Sequence, residues 1–309
     1  MKINYVRQNG FAVKAITTFR RRLATVLVAL LSLTGAPAFA QEAKGGDTKG
    51  GQGDLTTKAT NPVGRLIQLQ LQNLYIPSSD NSSGYANTGI IQPVVPINFS
   101  GDGYFQGIVT RTTIPIVTTP KVNGKRETSM GDILSIAALT HTTPGSQKGE
   151  FFTWGPVAAV SLPTASQDET GADVWQLGGG LLGLTNQHLT NGDNVMLGLL
   201  GYHLWDVEGE KEDPDISKTF AQPVIVYKFQ SLFGQKGWYI RNPDDLWSYD
   251  WEEDEWDQIP LGAYVGRVFP IGKQPVNVFA GGWYNAGDAD SGTTADYAFK
   301  ASFSFLFPN

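Results

Sequence analysis

The chain has 309 residues, 41% hydrophobic and 17% charged, with a formal net charge of −6 and no cysteine. Lack of cysteine excludes a disulfide scaffold, a thiolate metal site and a cysteine nucleophile. The acidic balance opposes a phosphate backbone, so nucleic acid is excluded as a partner.

A basic stretch ends in Arg20-Arg21-Arg22, an apolar run follows from Leu23 to Leu33, and Ala38-Phe39-Ala40 precedes Gln41. This order of charge, short apolar core and Ala-x-Ala is that of a secretory signal peptide, expected over residues 1–40. The apolar run is too short to span a bilayer as a helix, which takes roughly 20 residues. Setting the leader aside removes six basic and no acidic residues, which leaves 17 Lys+Arg against 29 Asp+Glu, a formal charge of −12. Residues 41–62 are rich in Gly, Lys, Asp and Thr with almost nothing to bury, and are expected to form a flexible periplasmic tail.

From Leu66 the texture changes to short segments of alternating polarity separated by Gly, Asn, Asp, Ser and Pro clusters. No amphipathic helix is apparent, so the class is all-β. In the first segment Ile67, Leu69 and Leu71 point one way and Gln68, Gln70 and Gln72 the other. Twelve strands are predicted near 66–76, 89–99, 105–116, 131–141, 151–162, 173–187, 195–206, 219–230, 237–249, 256–269, 275–285 and 295–307. Connections after the odd-numbered strands are mostly long and polar. Those after strands two, six, eight and ten are short, and only His141–Glu150 breaks the alternation. Long loops on one rim and short turns on the other, with an even strand number, are the pattern of a transmembrane antiparallel β-barrel, here residues 63–309. A barrel strand crosses a membrane with about 10 residues, half of them polar, so hydropathy does not flag it.

The last segment sharpens the point. Phe299, Ala301, Phe303, Phe305 and Phe307 share one face, opposite Lys300, Ser302 and Ser304. At about 25 cal/mol per Å2 of apolar surface, such a face requires a protein core or lipid to cover it. Aromatics near strand ends (Trp154, Trp175, Trp205, Trp238, Trp247, Trp283 and Tyr284) fit interfacial girdles. The opposite faces place Gln68, Gln70, Gln72, Gln92, Arg111, His203, Gln222, Lys228 and Lys300 toward a lumen. Glutamines donate and accept, which suits an aqueous pore of weak solute preference. Two features run against this reading. Pro93, Pro96, Pro115, Pro156, Pro223 and Pro260 fall inside strands and donate no ladder bond. Arg267 lands on the lipid side unless it snorkels to an interface.

Several phrases resemble a known family: Asn61-Pro62-Val63-Gly64 leading into Leu66–Tyr75, Ile90-Ile91-Gln92-Pro93-Val94 and Thr153-Trp154-Gly155-Pro156. So do Gly201-Tyr202-His203-Leu204-Trp205, Gln222-Pro223-Val224, Trp238-Tyr239 and Pro260-Leu261-Gly262. The family is that of outer-membrane transporters of the meta-pathway of phenol degradation, some of whose members carry the label neuromedin U. The likeness spans most of residues 60–308. It implies a barrel in the cell outer membrane that passes small solutes, apolar or aromatic ones included, and it brings no catalytic residues. The implied partners are outer-membrane lipid and lipopolysaccharide and the barrel-assembly machinery. Phe303, Phe305 and Phe307 look like the aromatic-ended assembly strand, except that Pro308-Asn309 follow.

Catalytic chemistry is weakly signalled. Ser135 and His141 share strand parity, but no third group orients them. The three histidines are too scattered for a metal site, and no cofactor or metal is expected. The acidic run from Asp244 to Asp257 reads as a solvated loop between strands nine and ten, with cation binding as its rival. A lipid-modifying barrel enzyme and a secreted soluble β-sandwich that binds a ligand remain the alternatives to a channel.

Overall fold

The structure, a computed structural model, describes residues 52–78, 84–121, 124–208, 215–287 and 295–307. The expected signal peptide (residues 1–40), residues 41–51 of the expected tail and Pro308-Asn309 lie outside them.

A short helix α1 (Gln52–Thr60) precedes the strands β1 (Ile67–Ile76), β2 (Ala86–Asn98), β3 (Gly107–Thr118), β4 (Thr128–Met130) and β5 (Ile133–Pro144). Then come β6 (Phe151–Leu162), β7 (Trp175–His188), β8 (Asn194–Glu208), β9 (Ser217–Lys228), β10 (Trp238–Arg241) and β11 (Trp247–Asp250). The chain ends with β12 (Glu255–Gln258), β13 (Pro260–Ile271), β14 (Gln274–Asn285) and β15 (Tyr297–Phe307). Neighbours pair antiparallel, and β15 pairs with β1 from Ile67↔Phe307 to Tyr75↔Phe299. The sheet therefore closes on itself with no free edge. Because β10 with β11, and β12 with β13, each occupy one position, the wall is a barrel of 12 strands. β4 is an extra rung on β3, inside a long loop.

The polarity of the wall is inverted relative to a water-soluble protein. In β15, Ala298, Lys300, Ser302, Ser304 and Leu306 are buried, whereas Phe299 is 54% exposed. The same alternation leaves Leu181 63% and Leu199 52% exposed, with Ile225, Leu261 and Val265 in the same outward belt. Each such side chain would stabilise by about 1.5–3 kcal/mol if covered, so the belt calls for hydrocarbon. The predicted Phe face of the last strand is this outer surface.

The in-strand prolines are absorbed by local breaks in one ladder. β2 and β3 pair at Ile91↔Ile114 and resume at Val94↔Arg111, skipping Pro93, while Pro93 stays paired with Leu69 on its other side. β5 and β6 skip the position of Pro156 between Ala138↔Val157 and His141↔Trp154, while Pro156↔Leu181 is kept. An absent N–H costs a bond on one side only, so a closed wall tolerates it. Arg267 does face outward. It sits beside the short-turn rim with its guanidinium 5.3 Å from the Trp238 ring centroid and 5.5 Å from that of Phe269, and donates to Gln235. It thus snorkels at an interface.

The rim at which β1 begins and β15 ends has the short turns. Gly272-Lys273 alone joins β13 to β14. The turn between β5 and β6 is tied by Glu150, whose carboxylate accepts from Ser146 Oγ at 3.0 Å and the Gln147 N–H at 2.9 Å. A further acceptance from the His188 N–H joins it to β7, and these backbone donors hold its carboxyl below the usual carboxylate range.

One expectation is overturned at the N-terminus. Residues 52–60 are helical, and Thr56, Ala59 and Thr60 are buried within the barrel mouth. The segment is polar and Thr-rich, so intrinsic propensity did not announce a helix; a three-residue face docked in the lumen supplies the stability. Asn61 then accepts the Val63 N–H on its side chain at 2.9 Å, and the turn leads into β1. Gly64 is needed there: a Cβ would lie 2.4 Å from the Lys58 carbonyl oxygen.

Candidate functional site

Strand spacing and tilt make a barrel of this strand number roughly 24 Å across, backbone to backbone. Inward side chains reduce that to about 12 Å, the diameter of one α-helix with its side chains. α1 therefore fills the mouth at the turn rim. Lys228, at the end of β9, donates to Thr57 Oγ1 at 3.2 Å and to Asn186.

Above the helix the lumen has two unlike walls. From β5 to β9 the mid-height inner face is apolar, with Ile136, Val157, Leu182, Leu200 and Val224 among its buried residues. From β14 round to β3 it is polar. Gln70 donates to Gln68 at 3.2 Å, Gln72 to Gln70 at 2.8 Å and to Gln92 at 3.2 Å, and Gln92 to Thr113 at 2.7 Å. This amide ladder is the inward half of the alternation in β1 and β2.

Two devices bridge the lumen. Arg111 on β3 donates to Gln222 Oε1 on β9 at 2.9 Å, across five strand positions, so this bond spans the bore. The second device is a break in strand nine. Between β10 and β11 the chain leaves the sheet at Asn242-Pro243-Asp244-Asp245-Leu246. Asn242 replaces the missing rungs: its amide donates to the Pro223 carbonyl at 2.9 Å and accepts the Ile225 N–H at 2.8 Å. The two aspartates are thereby turned inward. Lys300 Nζ lies 3.0 Å from Asp244 and 2.9 Å from Asp245, Arg241 is 3.6 Å from Asp244, and the Tyr264 hydroxyl donates to Asp245. A cavity of about 30 Å3 remains between this knot and the helix, lined by Arg111, Arg241, Gln222, Asn277, Val94 and Phe279 among others.

The sequence-predicted residues sort as follows. Gln68, Gln72, Gln222, Lys228 and Lys300 are buried on the inward face, with Gln70, Gln92 and Arg111 beside them. His203 is not with them. It shares the outward face of β8 with exposed Leu199 and Trp205, lies 4.1 Å from the Trp205 ring at a tilt of 46° and bonds Thr219 Oγ1 at 2.8 Å. Inward residues of β8 are Leu200, Tyr202 and Leu204, so parity alone had assigned the faces the wrong way round there. Trp283 is likewise corrected: it is 4% exposed and inward, whereas adjacent Tyr284 is 61% exposed and outward, as alternation demands of neighbours. Trp154, Trp175 and Trp238 stand at strand ends, half-buried, and Trp205 is exposed near the loop rim. Phe303 and Phe305 are outward, with ring centroids 5.0 Å apart, and Phe307 continues their face.

The acidic run is also redrawn. Only Trp251–Asp254 is an exposed turn; Asp250 and Asp257 pair with Lys218 at 2.8 and 3.1 Å, and Asp244 and Asp245 lie in the knot. No sequence signal marked that inward turn, although Pro223, Asn242 and Pro243 are the residues that make it. Ser135 and His141 do not meet. They are six residues apart on β5, about 20 Å, with Ser135 bonded to Thr112 at 3.1 Å and the His141 ring stacked on Tyr104 at 4.0 Å.

A closed antiparallel barrel, apolar outside and bridged inside by its own helix, amides and ion pairs, has the fold of an outer-membrane β-barrel. Among solved structures, an outer membrane channel from Pseudomonas putida F1 superposes with a TM-score of 0.53 at 11% identity, over 78% of this chain and 96% of that one. The transport unit of the autotransporter AIDA-I from Escherichia coli matches at 0.40 and 12% identity, over 81% of this chain and 92% of that one, too low to build on. At such identities the likeness is one of fold. No known family profile and no curated protein matches the sequence.

Proposed function

We propose that this protein is an outer-membrane channel for passive passage of small solutes, with the turn rim and both termini in the periplasm. The observation that carries this is a closed barrel with an exposed apolar belt outside and a lumen whose wall is hydrogen-bonding on one side and apolar on the other. The apolar inner face of β5–β9 supports entry of apolar and aromatic compounds, in line with the phenol meta-pathway resemblance. Outer-membrane lipid, lipopolysaccharide and the assembly machinery are the partners this reading requires.

The bore as it stands is narrow, so α1 sets the resting conductance. The test is planar-bilayer recording of the full chain beside a variant lacking Gln52–Thr60. A channel gives discrete conductance steps that grow on deletion. Absence of steps from both, with heat-modifiable migration showing both folded, would refute the reading.

A further inference from the structure

Three cations, Arg111, Arg241 and Lys300, face two carboxylates, Asp244 and Asp245, at mid-lumen. Lys300 pairs with both aspartates and Arg241 with Asp244, and Arg111, which lines one cavity with Asp244 and Arg241, is the third cation for two carboxylates. Among the described residues its one hydrogen bond is to the neutral Gln222, and it lines the cavity below the knot. Nearer the turn rim, buried Lys228 bonds, among the described residues, the neutral oxygens of Asn186 and Thr57, and it lines a separate cavity of about 170 Å3. A desolvated cation in excess of the carboxylates around it is costly. Two such groups, part-buried Arg111 and buried Lys228, each beside a cavity, point to a mobile anion as the missing partner.

Resting on the channel reading, we propose that the lumen binds the carboxylate of a small organic acid, with Arg111 as the docking cation and Lys228 as a second station toward the periplasm. The surplus at mid-lumen is one positive charge, which a monovalent anion neutralises. A dianion would leave an excess negative charge beside Asp244. A guanidinium presents paired N–H donors that match the two oxygens of a carboxylate. The cavity of about 30 Å3 holds about two waters, which the carboxylate oxygens replace. Val94 and Phe279 on its wall accept a short apolar tail.

Radiolabelled butyrate is offered to the detergent-solubilised full chain and its retention measured by scintillation proximity. Unlabelled acetate competes; 1-butanol and sulfate do not. Arg111→Gln weakens retention by about tenfold or more, the loss of one charge-assisted pair. Arg111→Lys, which keeps the charge and loses the fork, falls between. Lys228→Gln is a second variant should Arg111→Gln fail to fold, and it weakens retention by a smaller factor. Retention that is unchanged in folded Arg111→Gln, or equal competition by 1-butanol, overturns the proposal. Bilayer steps without butyrate retention overturn this site and keep the channel; Arg111-dependent retention without steps does the reverse.

Discussion

Replacing Lys300 with methionine removes the hub of the mid-lumen knot. Its ammonium lies 3.0 Å from Asp244 and 2.9 Å from Asp245, and all three side chains are largely buried. Arg241 would still stand 3.6 Å from Asp244, but Asp245 would keep only the Tyr264 hydroxyl. Breaking a buried pair by removing one partner costs about 3–5 kcal/mol, because the other charge stays desolvated. The surviving arginine puts the expectation at the lower end, about 3 kcal/mol. Adding Asp245→Asn to Lys300→Met removes the stranded charge and recovers about half of the loss, a coupling that a double-mutant cycle measures. The assay is a urea series on the refolded barrel in lipid vesicles, followed by tryptophan fluorescence and heat-modifiable migration. A loss below about 1 kcal/mol, or effects of the two substitutions that simply add, would refute an inward-turned Asn242–Leu246 held by Lys300.

Three other outcomes follow from the wall and its turns. Leu199→Arg places a charge in the middle of β8 on the outer face, and is expected to cost about 2–4 kcal/mol and to lower the folded yield in vesicles; a yield equal to that of the parent would mean lipid does not cover this face. Gly155→Ala puts a Cβ 1.7 Å from the Leu139 carbonyl oxygen, at the interruption of the β5–β6 ladder, and is expected to cost about 1–3 kcal/mol in the same urea assay. Glu150 is held below the usual carboxylate range by the Gln147 and His188 N–H groups, so its stabilisation is present above the unfolded-state pKa and is lost as pH falls through the lower folded one. Glu150→Gln should accordingly lower the thermal midpoint at neutral pH and match the parent in strong acid; a gap that persists in acid would show that the ionised form is not what ties the turn.

Local alternation by itself determined the all-β class, the places of the twelve wall segments (the ninth and tenth of which the structure breaks in two) and the outward Phe face of β15. Each depends only on the two-residue repeat of a strand and on turn residues between strands. The amide ladder of Gln68, Gln70, Gln72 and Gln92 was legible for the same reason. At β8 polarity points Leu200, Tyr202 and Leu204 to lipid and His203 inward, but the inner wall there is itself apolar, so the faces are reversed; nearness to a strand end places Trp283 in the girdle, yet alternation turns it inward beside outward Tyr284. What only the tertiary structure decided are the long-range features. The helix Gln52–Thr60 exists because a closed wall offers a bore of its own diameter. Asp244 and Asp245 turn inward because Pro223 vacates a rung that Asn242 fills. Arg111 reaches Gln222, 111 residues away, and becomes a third cation near two carboxylates only when β3 and β9 face one another across the lumen.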